Sequence, residues 1–286
     1  MGKNFAIIGD PIEHSLSPFI HKMLYQIYNI EASYHKLKIA KGELADKFLS
    51  FVQKYKLDGL NVTMPHKTDI IGFLDDISPA ASLAKSVNTI VRDEKGLHGY
   101  STDASGFIQA LRAQNPHLLA SRAVFLGAGG AAGALALHWA VAQKAPLTII
   151  ARTAAKAWAI NDAIAQNNGY QPLILNWTED NIRRAAGQAS LLVNTTPLGM
   201  VGNSEDFTDL SFLRQLSPSA LVFDLIYAPR QTTLLKEAQK LGYATASGLD
   251  MLIYQAIESF QLMTGIRASL SDKNSIEKAL AEQGLV

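Results

Sequence analysis

Short, continuous apolar runs alternate along this chain with longer stretches whose apolar positions recur every three or four residues. Residues 4–8, 32–39, 59–63 and 87–91 have the first pattern and predict strands; residues 17–28, 42–54 and 80–85 have the second and predict helices. Such alternation builds an open, mostly parallel α/β sheet, here before residue 103. A second series begins at Val124 and continues through apolar runs at 147–150, 173–175, 191–194 and 221–225, with helical stretches between them. After Gly248 only helical patterns follow, at 251–263 and 275–282. There is no internal repeat and no Pro/Ser-rich linker. The pattern predicts two α/β domains joined by helices, residues 1–103 with 249–286 and residues 104–248, with a ligand cleft between them.

The join between the first strand and first helix of the second series is the most informative local feature. Ala123-Val124-Phe125-Leu126 runs into Gly127-Ala128-Gly129-Gly130-Ala131-Ala132-Gly133, and a helical pattern follows to Gln143. Glycines between a strand and a helix let the backbone turn sharply and approach a pyrophosphate, whose charge rests on free amides at the helix N-terminus. A glycine-alanine turn alone also serves close helix packing, but the β-type run Leu147-Thr148-Ile149-Ile150-Ala151 completes a βαβ unit and favours a Rossmann-type dinucleotide-binding domain. NAD-dependent enzymes commonly end this second strand with a carboxylate for the ribose 2′-hydroxyl. Here Arg152 and Thr153 stand there, with Lys156 one turn on, so the expected cofactor is NADP(H), its 2′-phosphate paired with cations.

Composition narrows the remaining classes. The 26 basic and 25 acidic residues leave a formal charge of +1, which offers nothing to a nucleic-acid backbone. With no cysteine, disulfides, thiolate metal sites and cysteine nucleophiles are excluded. The seven histidines show no H-x-x-x-H spacing, so no metal is expected, and Ser15 lacks a G-x-S-x-G setting. Residues 123–143 carry no Lys, Arg, Asp or Glu and could pass for a membrane span, but their middle is only weakly apolar Gly and Ala. The short apolar run after Lys3 is no secretory signal. A soluble, cytoplasmic monomer or homodimer acting on a small molecule is expected.

The polar residues suited to a site cluster at the predicted strand ends. After the first strand come Ser15 and Ser17, though Ser17 before Pro18 also suits a helix N-cap. Met64-Pro65-His66-Lys67 predicts a helix start with a lysine in its first turn, where the dipole disfavours a cation and calls for an anionic partner. Asp103 is a candidate, and it equally suits a cap for the helix from Ala104.

Eight collinear segments resemble the shikimate dehydrogenases: Gly9-x-Pro11-x-x-His14-Ser15-x-Ser17-Pro18; Asn61-Val62-Thr63-x-Pro65-x-Lys67; Val87-Asn88-Thr89; Thr102-Asp103-x-x-Gly106; the glycine turn; Asn194-Thr195-Thr196-Pro197-x-Gly199-Met200; Asp224-x-x-Tyr227-x-Pro229; and Gly248-x-x-Met251-Leu252-x-x-Gln255-Ala256. The resemblance implies reversible reduction of 3-dehydroshikimate to shikimate by NADPH. It implies Lys67 as catalytic acid or base beside Asp103, with Ser15, Ser17, Thr63 and Tyr227 around the substrate carboxylate and Asn88 and Gln255 at ring hydroxyls. On the cofactor side it implies Gly127, Ala128, Gly129, Gly130 and Ala131 at the pyrophosphate, Arg152, Thr153 and Lys156 at the 2′-phosphate, and Leu225 and Gly248 at the nicotinamide. Protonation of the carbonyl oxygen as hydride arrives accounts for a lysine, and a neighbouring carboxylate favours its ammonium form.

Four positions depart from the family pattern. Ser101 replaces an Asn beside Asp103, Ala151 an Asn before Arg152, Lys22 an Asn after His21, and Met263 a Trp. Two rival functions share the pattern: a quinate or dual quinate/shikimate dehydrogenase, perhaps NAD-using, and a catalytically silent ligand-binding protein. Small Ser17 and basic Arg152 argue against the first, and the Lys67/Asp103 pair against the second.

Overall fold

The computed structural model describes residues 2–286. The chain separates into two units: one runs to Gly106 and resumes over Ile253–Leu285, and the other is Phe107–Leu252.

The first unit contains β1 (Lys3–Gly9), α1 (Ser17–Ile27), β2 (Ala32–Lys38), α2 (Leu44–Lys54), β3 (Gly59–Val62), β4 (Asp76–Ile77), α3 (Pro79–Ala84), β5 (Thr89–Asp93), β6 (Gly96–Tyr100) and the start of α4 (Asp103–Gln114). Its sheet has the order β2-β1-β3-β5-β6-β4. Strand β1 pairs parallel with β2 and β3, and β4 parallel with β6, whereas β5 runs antiparallel to both β3 and β6. The apolar runs explain the centre: the last five residues of β1 and all of β3 are buried, as expected of strands covered on both faces. Strand β6 has no such run. Its Gly-Leu-His-Gly-Tyr sequence becomes a strand through a two-residue turn, Glu94-Lys95, that folds it back on β5. Phe48 of α2 packs with Ile8, Leu60, Val62 and Ile90 to close one face.

The second unit contains β7 (Ala123–Leu126), α5 (Gly130–Val141), β8 (Leu147–Ala151), α6 (Ala154–Gln166), β9 (Leu173–Asn176), α7 (Glu179–Ala186), β10 (Leu191–Asn194), β11 (Leu221–Asp224), α8 (Thr233–Lys240), β12 (Ala244–Ser247) and the start of α9 (Gly248–Thr264); α10 (Asp272–Glu282) lies in the first unit. All strand pairs are parallel, in the order β12-β11-β10-β7-β8-β9. This is the doubly wound Rossmann arrangement, and the order reverses between β7 and β10, the crevice where such sheets bind ligands. Strands β7, β10 and β11 are buried throughout. Strand β12, made of Ala, Thr, Ala and Ser, carries no apolar signal of its own and forms by pairing with β11. Phe107 meets Phe223 edge-on at 5.0 Å and packs against Phe125 and Trp139. Among the described residues no helix is long and apolar enough to cross a membrane.

Two acid–base features belong to the fold itself. Asp224 is fully buried at the end of β11. Its Oδ1 accepts from Asn194 Nδ2 at 3.0 Å and from the Ile226 amide at 3.1 Å, and its Oδ2 accepts from the Thr232 hydroxyl at 2.7 Å. Thr232 Oγ1 in turn caps α8 by accepting from the Leu235 amide. Burial outweighs these bonds and pushes the Asp224 carboxyl up to about 6. On the other sheet, His98 Nδ1 meets Asp76 Oδ1 at 2.7 Å and Nε2 meets Asp93 Oδ1 at 2.9 Å. Asp76 first, then Asp93, raise the imidazole above its usual range.

Both groups bind protons more tightly in the folded chain, so both lend stability that fades as pH rises, in separate windows. Asp224 should contribute most below about pH 4 and lose roughly 3 kcal/mol of that contribution as pH rises through about 6. Asp224→Asn should flatten this part of a urea-denaturation profile. The His98 contribution is complete below about pH 6.5 while its partner carboxylates stay ionised, and it disappears as pH climbs through its raised folded value, so the gap between wild type and His98→Gln should be wide near about pH 5 and narrow toward about pH 8; a gap that widens over this range contradicts the assignment.

Candidate active site

The antiparallel turn-back in the first sheet brings four segments to one edge. Segments 10–17 and 63–67 follow β1 and β3. Because β5 runs against β3, Asn88 at its start lies at the same end, and β6 returns to deliver Thr102 and Asp103 there. Backbone bonds hold these loops together: Asp10 N to Met64 O at 2.8 Å, Val87 N to Lys67 O at 2.8 Å, Val62 N to Asn88 O at 2.9 Å and Asn88 N to Tyr100 O at 3.0 Å. Gly9, at φ +155°, allows the close approach, since a Cβ there would run into Thr63 and the Met64 carbonyl.

The centre of this edge is an ion pair. Lys67 Nζ donates to Asp103 Oδ2 at 2.7 Å, with the side chains 31% and 19% exposed, so solvent and a small ligand reach both. Asn88 Nδ2 donates to Asp103 Oδ1 at 2.9 Å and lies 3.1 Å from Gln255 Oε1, while the Thr102 amide donates to Asn88 Oδ1 at 2.9 Å. Lys67, Asp103, Asn88 and Gln255 therefore form one connected group. Behind it is a second, buried layer that the sequence did not single out as functional. Asn61 Nδ2 donates to Ser259 Oγ at 2.7 Å, and its Oδ1 accepts from Tyr34 at 2.6 Å. Tyr34 stacks on His21 at 4.8 Å, and burial drives that imidazole down to about 3, so it is neutral. The alternation of Asn61 with apolar neighbours in β3 was the available signal.

Two local expectations need correction. Lys67 is not in the first turn of a helix: residues 64–68 form turns, and a 3-10 helix begins only at Asp69–Phe73. A long-range bond decides this, because buried His66 donates from Nε2 to the Ile39 carbonyl at 2.7 Å and holds the turn open. Ser17 is not an N-cap either. It is the first residue of α1 and Leu16 occupies the cap position, with no side-chain cap bond. Ser17 is buried, and its amide donates to Ser15 Oγ at 3.3 Å, which draws the two serines together. Asp103 does open α4, but its two oxygens go to Lys67 and Asn88. The departure at Ser101 has a visible effect: its buried hydroxyl finds no partner, and Thr102 anchors the loop through Asn88. Met263 fills its place by packing on Gly59, where a Cβ would lie 3.0 Å from Met263 Cγ.

In the second unit, a cavity of about 610 Å³ opens at the switch point and is lined by Gly127, Gly129, Arg152, Thr153 and Lys156 among others. Gly127 has φ +115°, and a Cβ there would press on Thr195 Oγ1 at 2.6 Å. At Gly129 and Gly130 a Cβ would meet nothing within 4 Å, and the α5 N-cap has no side-chain acceptor. Free helix amides facing open space, with cations at the end of β8, fit a dinucleotide bearing a pyrophosphate and a 2′-phosphate. Ala151 is buried, and its carbonyl accepts from Trp177 N at 3.1 Å. Leu225 and Gly248 are brought together, because a Cβ on Gly248 would collide with the Leu225 carbonyl. Tyr227 follows on the same loop, in the second unit, and burial raises its phenol above the usual range. Among the described residues no group of three or more His, Cys, Asp or Glu is arranged to hold a metal.

Comparisons with known proteins agree with this geometry. Residues 7–90 match the shikimate dehydrogenase substrate binding domain, and residues 248–272 the shikimate 5′-dehydrogenase C-terminal domain. A shikimate dehydrogenase (NADP(+)) from Nitrosopumilus maritimus is 35% identical over 280 residues, 98% of each chain. Among solved structures, a shikimate 5-dehydrogenase from Listeria monocytogenes in complex with shikimate and NAD is 29% identical with a TM-score of 0.88, covering 98% of this chain and 96% of that one. The enzyme from Thermus thermophilus in complex with NADP(H) and shikimate is 29% identical with a TM-score of 0.81, covering 97% and 99%. An open α/β sheet ending in Lys67 and Asp103, a Rossmann sheet ending in a glycine turn, and identity along nearly the whole length have one source: the chain belongs to the shikimate dehydrogenase family.

Proposed function

We propose that this protein catalyses the reversible, NADP-dependent interconversion of 3-dehydroshikimate and shikimate in the cytoplasm. The observation that carries the reading is the Lys67–Asp103 pair, 2.7 Å apart and open to a ligand. NADPH, when bound, supplies the hydride. As the substrate carbonyl gains electrons its oxygen becomes basic, and the Lys67 ammonium gives up a proton to it; in the reverse direction Lys67 takes the hydroxyl proton. Asp103 keeps the ammonium in place, and Asn88, bonded to the other oxygen of that carboxylate, stops it from turning away. Proton transfer from a positioned side chain is typically worth about 10²- to 10⁴-fold in rate.

Ser15, Ser17, Thr63 and Tyr227 are proposed as donors to the substrate carboxylate, with Asn88 and Gln255 at the ring hydroxyls. Neutral donors at fixed places recognise a compact hydroxylated ring by geometry, and a site built that way rejects analogues that leave its polar groups unpaired. At the cofactor, the amides of residues 127–131 take the pyrophosphate and Arg152, Thr153 and Lys156 the 2′-phosphate, with Leu225 and Gly248 flanking the nicotinamide.

Purified protein incubated with shikimate or quinate and with NADP⁺ or NAD⁺ should reduce NADP⁺ fastest with shikimate. Turnover confined to quinate with NAD⁺ would overturn the reading. Lys67→Ala should lower kcat by at least about 10²-fold while KM for shikimate changes far less; a fully active variant removes Lys67 from the chemistry.

A further inference from the structure

Arg152 already has an anionic partner. Its Nη1 lies 3.1 Å from Glu205 Oε2, a carboxylate that belongs to the loop after β10 and lines the same cavity. The loop fixes the position of this carboxylate. The Glu205 carbonyl accepts from the Gly199 amide at 3.0 Å and from Asn203 Nδ2 at 3.3 Å, and that same amide group also donates to the Pro197 carbonyl at 2.6 Å. On the other side of Glu205, Asp206 Oδ2 accepts from the Thr233 hydroxyl at 2.6 Å, and Oδ1 accepts from the Phe207 amide at 2.7 Å. Hydrogen bonds thus hold the backbone on both sides of residue 205. Both partners of the ion pair are more than half exposed, at 63% and 58%, so the pair is weak and a ligand reaches it.

We propose that Glu205 sets the strength of cofactor discrimination by competing with a 2′-phosphate for the Arg152 guanidinium; this rests on the dinucleotide reading of the cavity. A phosphate monoester brings nearly two negative charges. To pair with Arg152 it must displace the carboxylate. A ribose 2′-hydroxyl meets no such conflict and can donate to the carboxylate. In dinucleotide folds the carboxylate that favours the hydroxyl commonly sits at the end of the second strand. Here that place holds Arg152, and a carboxylate reaches the same corner from a different loop. Glu205 therefore narrows the gap between the phosphorylated and unphosphorylated cofactors without removing the cation that prefers the former.

The test is calorimetric titration with 2′,5′-ADP and with ADP, which probe the adenosine corner independently of turnover. Glu205→Gln should bind 2′,5′-ADP roughly three- to tenfold more tightly than wild type at low salt, with ADP changed by less than about twofold. The gain should shrink toward unity near 0.5 M salt, roughly, as screening sets in. It should also vanish in an Arg152→Ala background. Unchanged or weaker binding of 2′,5′-ADP, an equal gain for ADP, or a gain that survives without Arg152 overturns the proposal. If wild type binds neither probe, the dinucleotide reading fails with it. If wild type binds both and Glu205→Gln leaves their ratio alone, only the role of Glu205 fails.

Discussion

The 2.7 Å contact between Lys67 and Asp103 is the interaction around which the candidate site of the first unit is built, and it exists because one sheet reverses direction. These residues are 36 positions apart in the chain. A purely parallel sheet would return each strand through a crossover and place strand starts and strand ends at opposite edges. The antiparallel β3-β5-β6 segment instead puts the end of β3, the beginning of β5 and the end of β6 at one edge. Three loops then meet there, and Asn88, held by the Thr102 amide, fixes the carboxylate that holds the lysine. The mixed topology is thus what assembles the Lys67–Asp103–Asn88 group from short, separate segments.

The second unit works by the opposite rule. With all strands parallel, every strand end falls on the same side, and the switch point between β7 and β10 supplies the crevice. Its binding features are mostly backbone: uncapped amides at α5, glycines whose missing side chains leave room, and a close approach of Gly248 to Leu225. Charge enters through side chains of both signs in the cavity lining: Arg152, Lys156 and Arg183 on one hand, Glu179, Glu205, Asp206 and Asp209 on the other.

The sequence disclosed whatever was encoded in continuous runs. The buried strands β1, β3, β7, β8, β10 and β11 all read as apolar segments, and the glycine turn declared its own geometry. Strands β4, β6 and β12 did not, because they are two residues long, glycine-bearing, or built of small residues, and they form by pairing with a neighbour. At the site, Lys67 and Asp103 were visible as residues but their local setting was not. The turn around Lys67 depends on His66 reaching the Ile39 carbonyl, 27 positions away, and no local pattern carries that information. The same holds for Glu205, which sits in a polar loop 53 residues from the arginine it engages.

One buried carboxylate ties together more than its own strand. Asp224 accepts from Asn194 on the neighbouring strand, from the Ile226 amide and from the Thr232 hydroxyl that starts the next helix, while Asn194 Oδ1 receives the Thr196 amide and hydroxyl. The loops after β10 and β11 therefore share an anchor. Neither can fray alone without stranding a buried donor or acceptor, so opening one of these loops carries the cost of disturbing the other.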